Sequence, residues 1–264
     1  MNRNTKEIGK NLIWLDEVDS TNTYLKDRCL TLPHGTAVFT DRQTSGKGRR
    51  GHQWSGDSQL QHPGASLAVS ILLRDAAVAD MGILPLLCAL AVRRGVGAYT
   101  GQDIGIKWPN DMICQGKKLC GILCESRITA HQGQGDALCA ICGIGVNLSQ
   151  SGEDFARLQL PHAISLQMAT GKRYTPEEIC AAILEGFEQV YTDYRTAGFS
   201  ALLPEYRQGC VTLGKTVRVI WDQQEKEGVA LDINPQGELL CSIDHKVQVI
   251  RSGEASVRGL YGYL

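Results

Sequence analysis

Residues 104 to 126, Ile-Gly-Ile-Lys-Trp-Pro-Asn-Asp-Met-Ile-Cys-Gln-Gly-Lys-Lys-Leu-Cys-Gly-Ile-Leu-Cys-Glu-Ser, contain three short β-branched or apolar runs at 104–108, 112–114 and 117–126. They are separated only by Pro109-Asn110-Asp111 and Gln115-Gly116. Connections this short join antiparallel neighbours, because a parallel pair needs a crossover of a dozen residues or more. Residues 137–147 supply a further run of the same kind, and 12–18, 36–41 and 66–73 read as earlier strands. The sequence therefore predicts a mixed, mostly antiparallel sheet.

Helical spacing appears on either side of this strand-rich block. Residues 80–96 are apolar with helical periodicity and are expected to stop at Gly97. Thr175-Pro176-Glu177-Glu178 forms a capping box with proline at the first helical position, followed by the stripe Ile179, Ile183, Phe187, Val190 and Tyr194 and a stop at Gly198. From Gly214 the apolar period becomes two, through Val217, Val219 and Trp221, then Val229, Leu231 and Ile233, then Leu240, Val247 and Val249. These readings predict an α+β fold with flanking helices over 1–212 and a small β-barrel domain over 213–264.

The 264 residues are 43% hydrophobic, enough for substantial cores. A formal net charge of −1 provides no global field for nucleic acid or an anionic membrane, so no nucleic-acid and no membrane partner is expected. The first ten residues lack the apolar core of a signal peptide, and no run reaches the ~18 apolar residues of a membrane span. A cytoplasmic location is expected. The ten cysteines include Cys120-x-x-x-Cys124 and Cys139-x-x-Cys142, but both pairs lie within apolar strand-like runs without the turn residues of zinc loops. They are read as structural or free thiols, with no metal–thiolate site.

Against this frame stands residues 43–56, Gln-Thr-Ser-Gly-Lys-Gly-Arg-Arg-Gly-His-Gln-Trp-Ser-Gly, with three cations, four glycines and no apolar period. Glycines let backbone N–H groups approach anionic oxygens, while Lys47, Arg49 and Arg50 bring charge-assisted donors for phosphate or carboxylate. The spacing is neither a Walker loop nor a dinucleotide fingerprint. Asp19-Ser20-Thr21-Asn22, at a strand-to-helix junction, offers capping side chains to a short helix ending near Arg28. The combination reads as a site that joins a carboxylate to a nucleotide.

Ser20-Thr21-Asn22, Gln43, the loop from Gly46 to Gly51 with Trp54, the segment Lys107-Trp108-Pro109-Asn110-Asp111, Lys118-Leu119-Cys120-Gly121-Ile122-Leu123, Gly143-Ile144-Gly145-Val146-Asn147-Leu148 and the terminal Gly253-Glu254-Ala255-Ser256-Val257-Arg258 together resemble the biotin protein ligases. The resemblance implies a catalytic domain related to class II aminoacyl-tRNA synthetases, followed by an SH3-like barrel. Many relatives carry a winged-helix DNA-binding domain ahead of it; with a first strand by about residue 12, the chain looks like the monofunctional type. The implied substrates are biotin and ATP, the latter with Mg²⁺, and the implied products are biotinyl-5′-AMP and pyrophosphate. The biotinyl group then passes to a lysine on the biotin carrier domain of a carboxylase. Whether the enzyme works as a monomer or a homodimer stays open at this level.

The resemblance also assigns residues. Lys118 and Arg49 are the expected catalytic cations. Ser20, Thr21, Asn22, Gln43, Lys47, Gly48, Arg49 and Lys118 would bind biotin, while Arg49, Arg50, Trp54, Lys107, Asn110, Asp111 and Asn147 would serve ATP and the adenylate. Asp111 is also the candidate for holding Mg²⁺ or orienting a neighbour. One departure is visible: the family usually has arginine where this chain has Lys47. A backbone role tolerates that change, whereas a guanidinium role does not. The alternatives are a lipoate ligase or acyltransferase of the same fold, and a non-catalytic biotin-binding protein; Gln43 with Ser20-Thr21-Asn22 disfavours the first, and retention of Arg49 and Lys118 disfavours the second.

Overall fold

Apolar continuity places the centre of the molecule. Ser-Leu-Ala-Val-Ser-Ile-Leu-Leu, residues 66–73, is buried at every position, the pattern of a strand covered on both faces. The computed structural model describes residues 5–51, 53–54, 63–74, 78–131, 135–221, 224–252 and 256–259. In chain order the elements are β1 (Leu12–Trp14), α1 (Thr21–Arg28), β2 (Ala37–Thr40), β3 (Ser66–Arg74), α2 (Leu84–Thr100), β4 (Gly105–Lys107), β5 (Asp111–Cys114), β6 (Lys117–His131) and β7 (Gly135–Asn147). They are followed by α3 (Gly152–Arg157), α4 (Leu166–Thr170), α5 (Pro176–Ala197), α6 (Phe199–Gly209), β8 (Thr216–Trp221), β9 (Gln224–Ile233), β10 (Leu239–Ile243), β11 (Lys246–Ile250) and β12 (Ser256–Gly259).

The first seven strands form one sheet in the order β1-β2-β3-β7-β6-β5-β4. Only β1 and β2 are parallel; every other pairing in this sheet is antiparallel, and short connections account for β4-β5, β5-β6 and β6-β7. On one face α1 packs Leu25 and Cys29 against Val38, Leu72 and Ile141. On the other, α2 and α5 cover Val69, Ile71, Cys142 and Ile144. The two covering helices approach through small residues: a Cβ added at Gly95 would run into the Ala182 carbonyl, and one at Gly186 into that of Ala91. A side chain at either glycine would force the helices apart.

Several boundaries differ from the sequence reading. The first strand stops at Trp14 rather than 18, and Val18 makes only an isolated bridge to Gln43. α2 runs through Gly97 to Thr100 and is capped by Gly101 at φ 69°, the left-handed conformation that glycine adopts without cost. Gly97 is buried in the helix instead. The capping box of α5 is present, with the Thr175 hydroxyl accepting from the Glu178 N–H and the Glu178 carboxylate accepting from the Thr175 N–H at 2.8 Å. Gly198 does end α5, but α6 begins at once, and neither it nor the short α3 and α4 was anticipated. Helices of five and six residues are too short to display a period.

The last five strands form a separate antiparallel sheet in the order β11-β10-β9-β8-β12. It is open: among the described residues β11 and β12 do not pair, so the closed barrel expected from the sequence is not observed. Val217, Val219, Ala230, Ile233, Cys241 and Ile250 enter the core, whereas Val229, Leu231, Val247 and Val249 lie on the exposed face. The apolar alternation of β9 is thus split between the two faces: Val229 and Leu231 point outward beside the buried Ala230, and the register shift opposite Leu240/Cys241 returns Ile233 to the core, while in β11 Val247 and Val249 mark the outer side. The two sheets share one core. Trp108, 1% exposed, donates its indole N–H to the Gly237 carbonyl at 3.0 Å, and Arg207 grips Asp232 at 2.6 and 2.8 Å. No helix among the described residues is long and apolar enough to cross a membrane.

The cysteine spacings resolve by strand geometry. Cys139 and Cys142 are three residues apart on β7, an odd offset that sends them to opposite faces. Cys139 accordingly packs with Leu25 and Cys29, while Cys142 joins the core under α2.

Candidate active site

Polar side chains gather around a hollow on the α1 face of the first sheet, where α1, the 43–54 segment and strands β3, β6 and β7 border a cavity of about 420 Å³. Its inner wall follows from the strand-to-helix junction. Ser20 occupies the N-cap of α1 but makes no side-chain capping hydrogen bond, and Thr21 and Asn22 are buried in the first turn. The expected helix-capping role gives way to a network. Gln43 Oε1 accepts from the Thr21 backbone N–H at 2.9 Å and from its hydroxyl at 3.2 Å. Ser70 Oγ lies within hydrogen-bond reach of Thr21 Oγ1 (2.7 Å) and Asn22 Oδ1 (2.6 Å), and Asn22 Nδ2 donates to the Leu123 carbonyl (3.2 Å) and Glu125 (2.9 Å). These bonds hold Thr21, Asn22 and Gln43 in fixed orientations. Burial opposes ionisation of Glu125, but hydrogen bonds from Asn22 and Lys26 outweigh it and hold the carboxyl below its ordinary range.

The outer wall is the glycine-rich segment. Thr44 and Ser45 donate backbone N–H groups to the Val18 and Asp19 carbonyls at 2.9 Å, which docks the segment beside α1. Lys47 bridges to Gln53, the Trp54 N–H donates to the Gly46 carbonyl at 2.9 Å, and a 3₁₀ turn spans Arg49–Gly51. The close approach falls at Gly46, where a Cβ would lie 2.6 Å from the Trp54 carbonyl oxygen and 2.8 Å from Gln43 Nε2. The left-handed residue is Gly51, at φ 77°. Lys47 reaches Thr23 at 3.2 Å from an exposed position, so its side chain stands at the rim.

Two cations and one carboxylate face each other across the hollow. Lys118 Nζ pairs with Asp111 at 2.7 Å and sits 5.9 Å from the Trp54 ring centroid. Its backbone is pinned on both sides, the N–H donating to His162 O at 2.7 Å and the carbonyl accepting from Ile164 N at 2.9 Å. Arg49 donates to Asn110 Oδ1 at 2.8 Å and to the Ser252 carbonyl, tying the glycine-rich segment both to the first sheet and to the chain after β11. Asn110 in turn donates to the Ile122 carbonyl at 3.1 Å.

The floor is made of glycine. Gly121 on β6 and Gly145 on β7 are directly opposed partners, and the Trp54 indole lies across both: a Cβ would come within 2.8 Å of Cζ3 at Gly121 and 2.5 Å of Cε2 at Gly145. Two residues along, a Cβ at Gly143 would collide with the Asn22 side chain. The glycines in the two strand motifs thus leave room for side chains that descend from the opposite wall.

Of the residues singled out in the sequence, Ser20, Thr21, Asn22, Gln43, Lys47, Gly48, Arg49, Trp54, Lys107, Asn110, Asp111 and Lys118 all line this cavity. Asn147 does not. It is buried at the end of β7, where Nδ2 donates to the Lys118 and Ile164 carbonyls at 3.4 and 3.1 Å, and so supports the lysine's backbone. The side chain of Arg50 and residues Ser55, Gly56, Gly253, Glu254 and Ala255 lie outside the described residues. Sequence reading missed Ser70 and Glu125, which orient Asn22, and it did not foresee that Val257 of β12 lines the cavity. Ser70 interrupts the apolar run of β3, a signal that was available.

Residues 14–147 match the biotin/lipoate A/B protein ligase family, and residues 212–258 match the biotin protein ligase C-terminal domain. The bifunctional ligase/repressor BirA of Bacillus spizizenii is 32% identical over 252 residues, covering 95% of this chain and 75% of that protein. The biotin–[acetyl-CoA-carboxylase] ligase of Paracoccus denitrificans is 30% identical, covering 93% of this chain and 100% of that protein. In structure, the Aquifex aeolicus biotin protein ligase in complex with biotin and ATP superposes with a TM-score of 0.78 at 29% identity, covering 95% of this chain and 99% of that one. The chain belongs to the biotin protein ligase family, and it is a ligase.

Proposed function

We propose that this chain activates biotin with ATP and transfers the biotinyl group to a lysine on the biotin carrier domain of a carboxylase. The observation that carries the reading is the composition of one cavity: a buried hydrogen-bonding wall (Ser20, Thr21, Asn22, Gln43) faces fixed cations (Lys118, Arg49). A ureido ring has donors and acceptors on one edge, which hydroxyl and amide side chains match, and a carboxylate tail that seeks cations. A lipoyl group has no such polar edge.

In the first step a biotin carboxylate oxygen attacks the α-phosphorus of ATP, forming the mixed anhydride as the bond to pyrophosphate breaks. Two anions must approach, so catalysis is charge neutralisation by donors already in place. Lys118, tethered by Asp111 and by its pinned backbone, is the donor we assign to the carboxylate and α-phosphate. Arg49, held by Asn110, and Lys107 complete the set on the nucleotide side, with Arg50 as a further candidate. Lys47 and Gly48 are assigned backbone contacts to the biotin tail, and Trp54 an aromatic surface beside Lys118. Asn147 acts through Lys118 instead of touching ATP.

Mg²⁺ enters with the nucleotide. Asp111 is the single carboxylate among the described residues lining the cavity, and its ion pair with Lys118 leaves no cage of oxygen ligands, so the phosphates themselves would carry the ion. In the second step the acceptor amine attacks the acyl carbon and AMP leaves. We further propose that residues 1–212 form the catalytic domain, that 213–264 form a module of SH3-like descent acting with it, and that the enzyme works in the cytoplasm. Incubating the purified chain with ATP, Mg²⁺ and either biotin or lipoate, then adding a biotin carrier domain, tests the reading. Pyrophosphate release and a carrier mass increase with biotin alone are expected; activity with lipoate alone would overturn it.

A further inference from the structure

On the face of the first sheet opposite the cavity, three cysteines from three elements converge. Cys124 of β6 and Cys142 of β7 are directly opposed partners, and Cys88 descends onto them from α2. Their sulfurs all lie within 4.8 Å of one another. Cys88 and Cys142 are wholly buried, while Cys124 is partly exposed. We propose that Cys88, Cys124 and Cys142 form a three-thiolate site for a single soft d¹⁰ cation, copper(I) or zinc(II), independent of the ligase chemistry.

The argument is geometric. Metal–sulfur bonds of about 2.3 Å around a three-coordinate ion place the sulfurs about 4.0 Å apart, so the cluster need contract by no more than roughly 0.8 Å to close on one. Thiolates select soft ions over magnesium or calcium. A disulfide would use two of the sulfurs and leave the third idle, whereas one ion engages all three. No fourth histidine, cysteine or carboxylate joins the group among the described residues. Copper(I) is satisfied by the three sulfurs, whereas zinc would need a further ligand such as water. As S–metal bonds form, the thiol protons leave to solvent, and no electron is transferred. The ion would pin α2 to the middle of the sheet, directly behind Leu123 and Gly143 of the cavity wall.

Sequence spacing conceals the site, since Cys88 lies on a helix far upstream and the two strand cysteines belong to different local pairs. The test uses the full chain, reduced and anaerobic. Copper(I) is titrated against bicinchoninate and zinc(II) against a chromophoric chelator, with X-ray absorption counting the sulfur ligands. One equivalent of either ion bound by three sulfurs is expected, together with a higher unfolding temperature for the loaded chain by mass action. Since even outer-shell changes weaken metal sites by 10–100-fold, Cys88→Ala, Cys124→Ala and Cys142→Ala should each cost at least about tenfold in affinity, with Cys241→Ala as the neutral control. Circular dichroism establishes that each variant is folded. Absence of stoichiometric binding by the wild-type chain, equal binding by the triple variant, or a Cys124–Cys142 disulfide in place of bound metal would overturn the proposal.

Discussion

Replacing Gly145 with alanine tests whether the cavity floor is shaped by Trp54. The new Cβ would lie 2.5, 2.7 and 2.8 Å from Cε2, Nε1 and Cζ2 of the indole. Non-bonded heavy atoms settle about 3.5–4.0 Å apart, so the ring must lift by about 1 Å or the strand must give way. Overpacking of this size costs about 1–3 kcal/mol. Because Lys118 Nζ stands 5.9 Å from the same ring, the displacement reaches the reacting groups, and a loss of 1–3 kcal/mol in the transition state lowers kcat/KM for adenylate formation by roughly 5- to 150-fold. Gly121→Ala, whose Cβ stands 2.8 Å from Cζ3, should be milder. The decisive measurement is a double-mutant cycle with Trp54→Ala, read by urea unfolding and by pyrophosphate release. If the ring is the obstacle, Gly145→Ala becomes nearly neutral once the indole is gone, giving a coupling of about 1–3 kcal/mol. A coupling below about 0.5 kcal/mol would show that the glycine is required for some other reason.

Four further outcomes are expected. Lys118→Ala should lower the rate of adenylate formation by about 10²–10³ with the fold intact, since it removes a fixed donor aimed at developing charge; wild-type pyrophosphate release would remove Lys118 from the mechanism. Lys47→Arg should leave the biotin KM within about threefold because the side chain sits at the rim, whereas Gly46→Val should abolish biotin binding by driving a side chain into Trp54 and Gln43; calorimetric titration of both variants compares them directly. Deleting residues 213–264 should impair adenylation as well as transfer, because Val257 lines the cavity and Arg49 is anchored on Ser252; full adenylation by the shortened chain would contradict this. Glu125, held below its ordinary range, contributes stability that is complete above its unfolded pKa and lost as pH falls through the lower folded value, so Glu125→Gln should flatten the acid limb of stability below the ordinary glutamate range. An unchanged limb in urea unfolding would mean that its pairing with Asn22 and Lys26 is not coupled to folding.

Local chemistry made much of this protein legible without coordinates. Turn residues at Pro109-Asn110-Asp111 and Gln115-Gly116 dictated antiparallel neighbours, and the box at Thr175–Glu178 started α5, because these signals act over a few residues. The cationic glycine segment likewise announced an anion site by residue type, and the family resemblance added Lys118. What the sequence could not settle depended on distance along the chain. Ser20 looked like a helix cap until the fold brought Gln43, Ser70 and Glu125 to its neighbours, turning the first turn of α1 into a binding wall. Asn147 was expected to contact the nucleotide, and the fold places its amide against the Lys118 and Ile164 carbonyls, the former 29 residues away in the chain. The apolar alternation of β9 did not show that a register shift sends Val229 and Leu231 outward and Ile233 inward. Nothing in the sequence showed why Gly121 and Gly145 are glycine; the pairing of β6 with β7 under Trp54 explains them. Residue type decides what a side chain can do; packing of remote segments decides what it is near, and therefore which of those things it does.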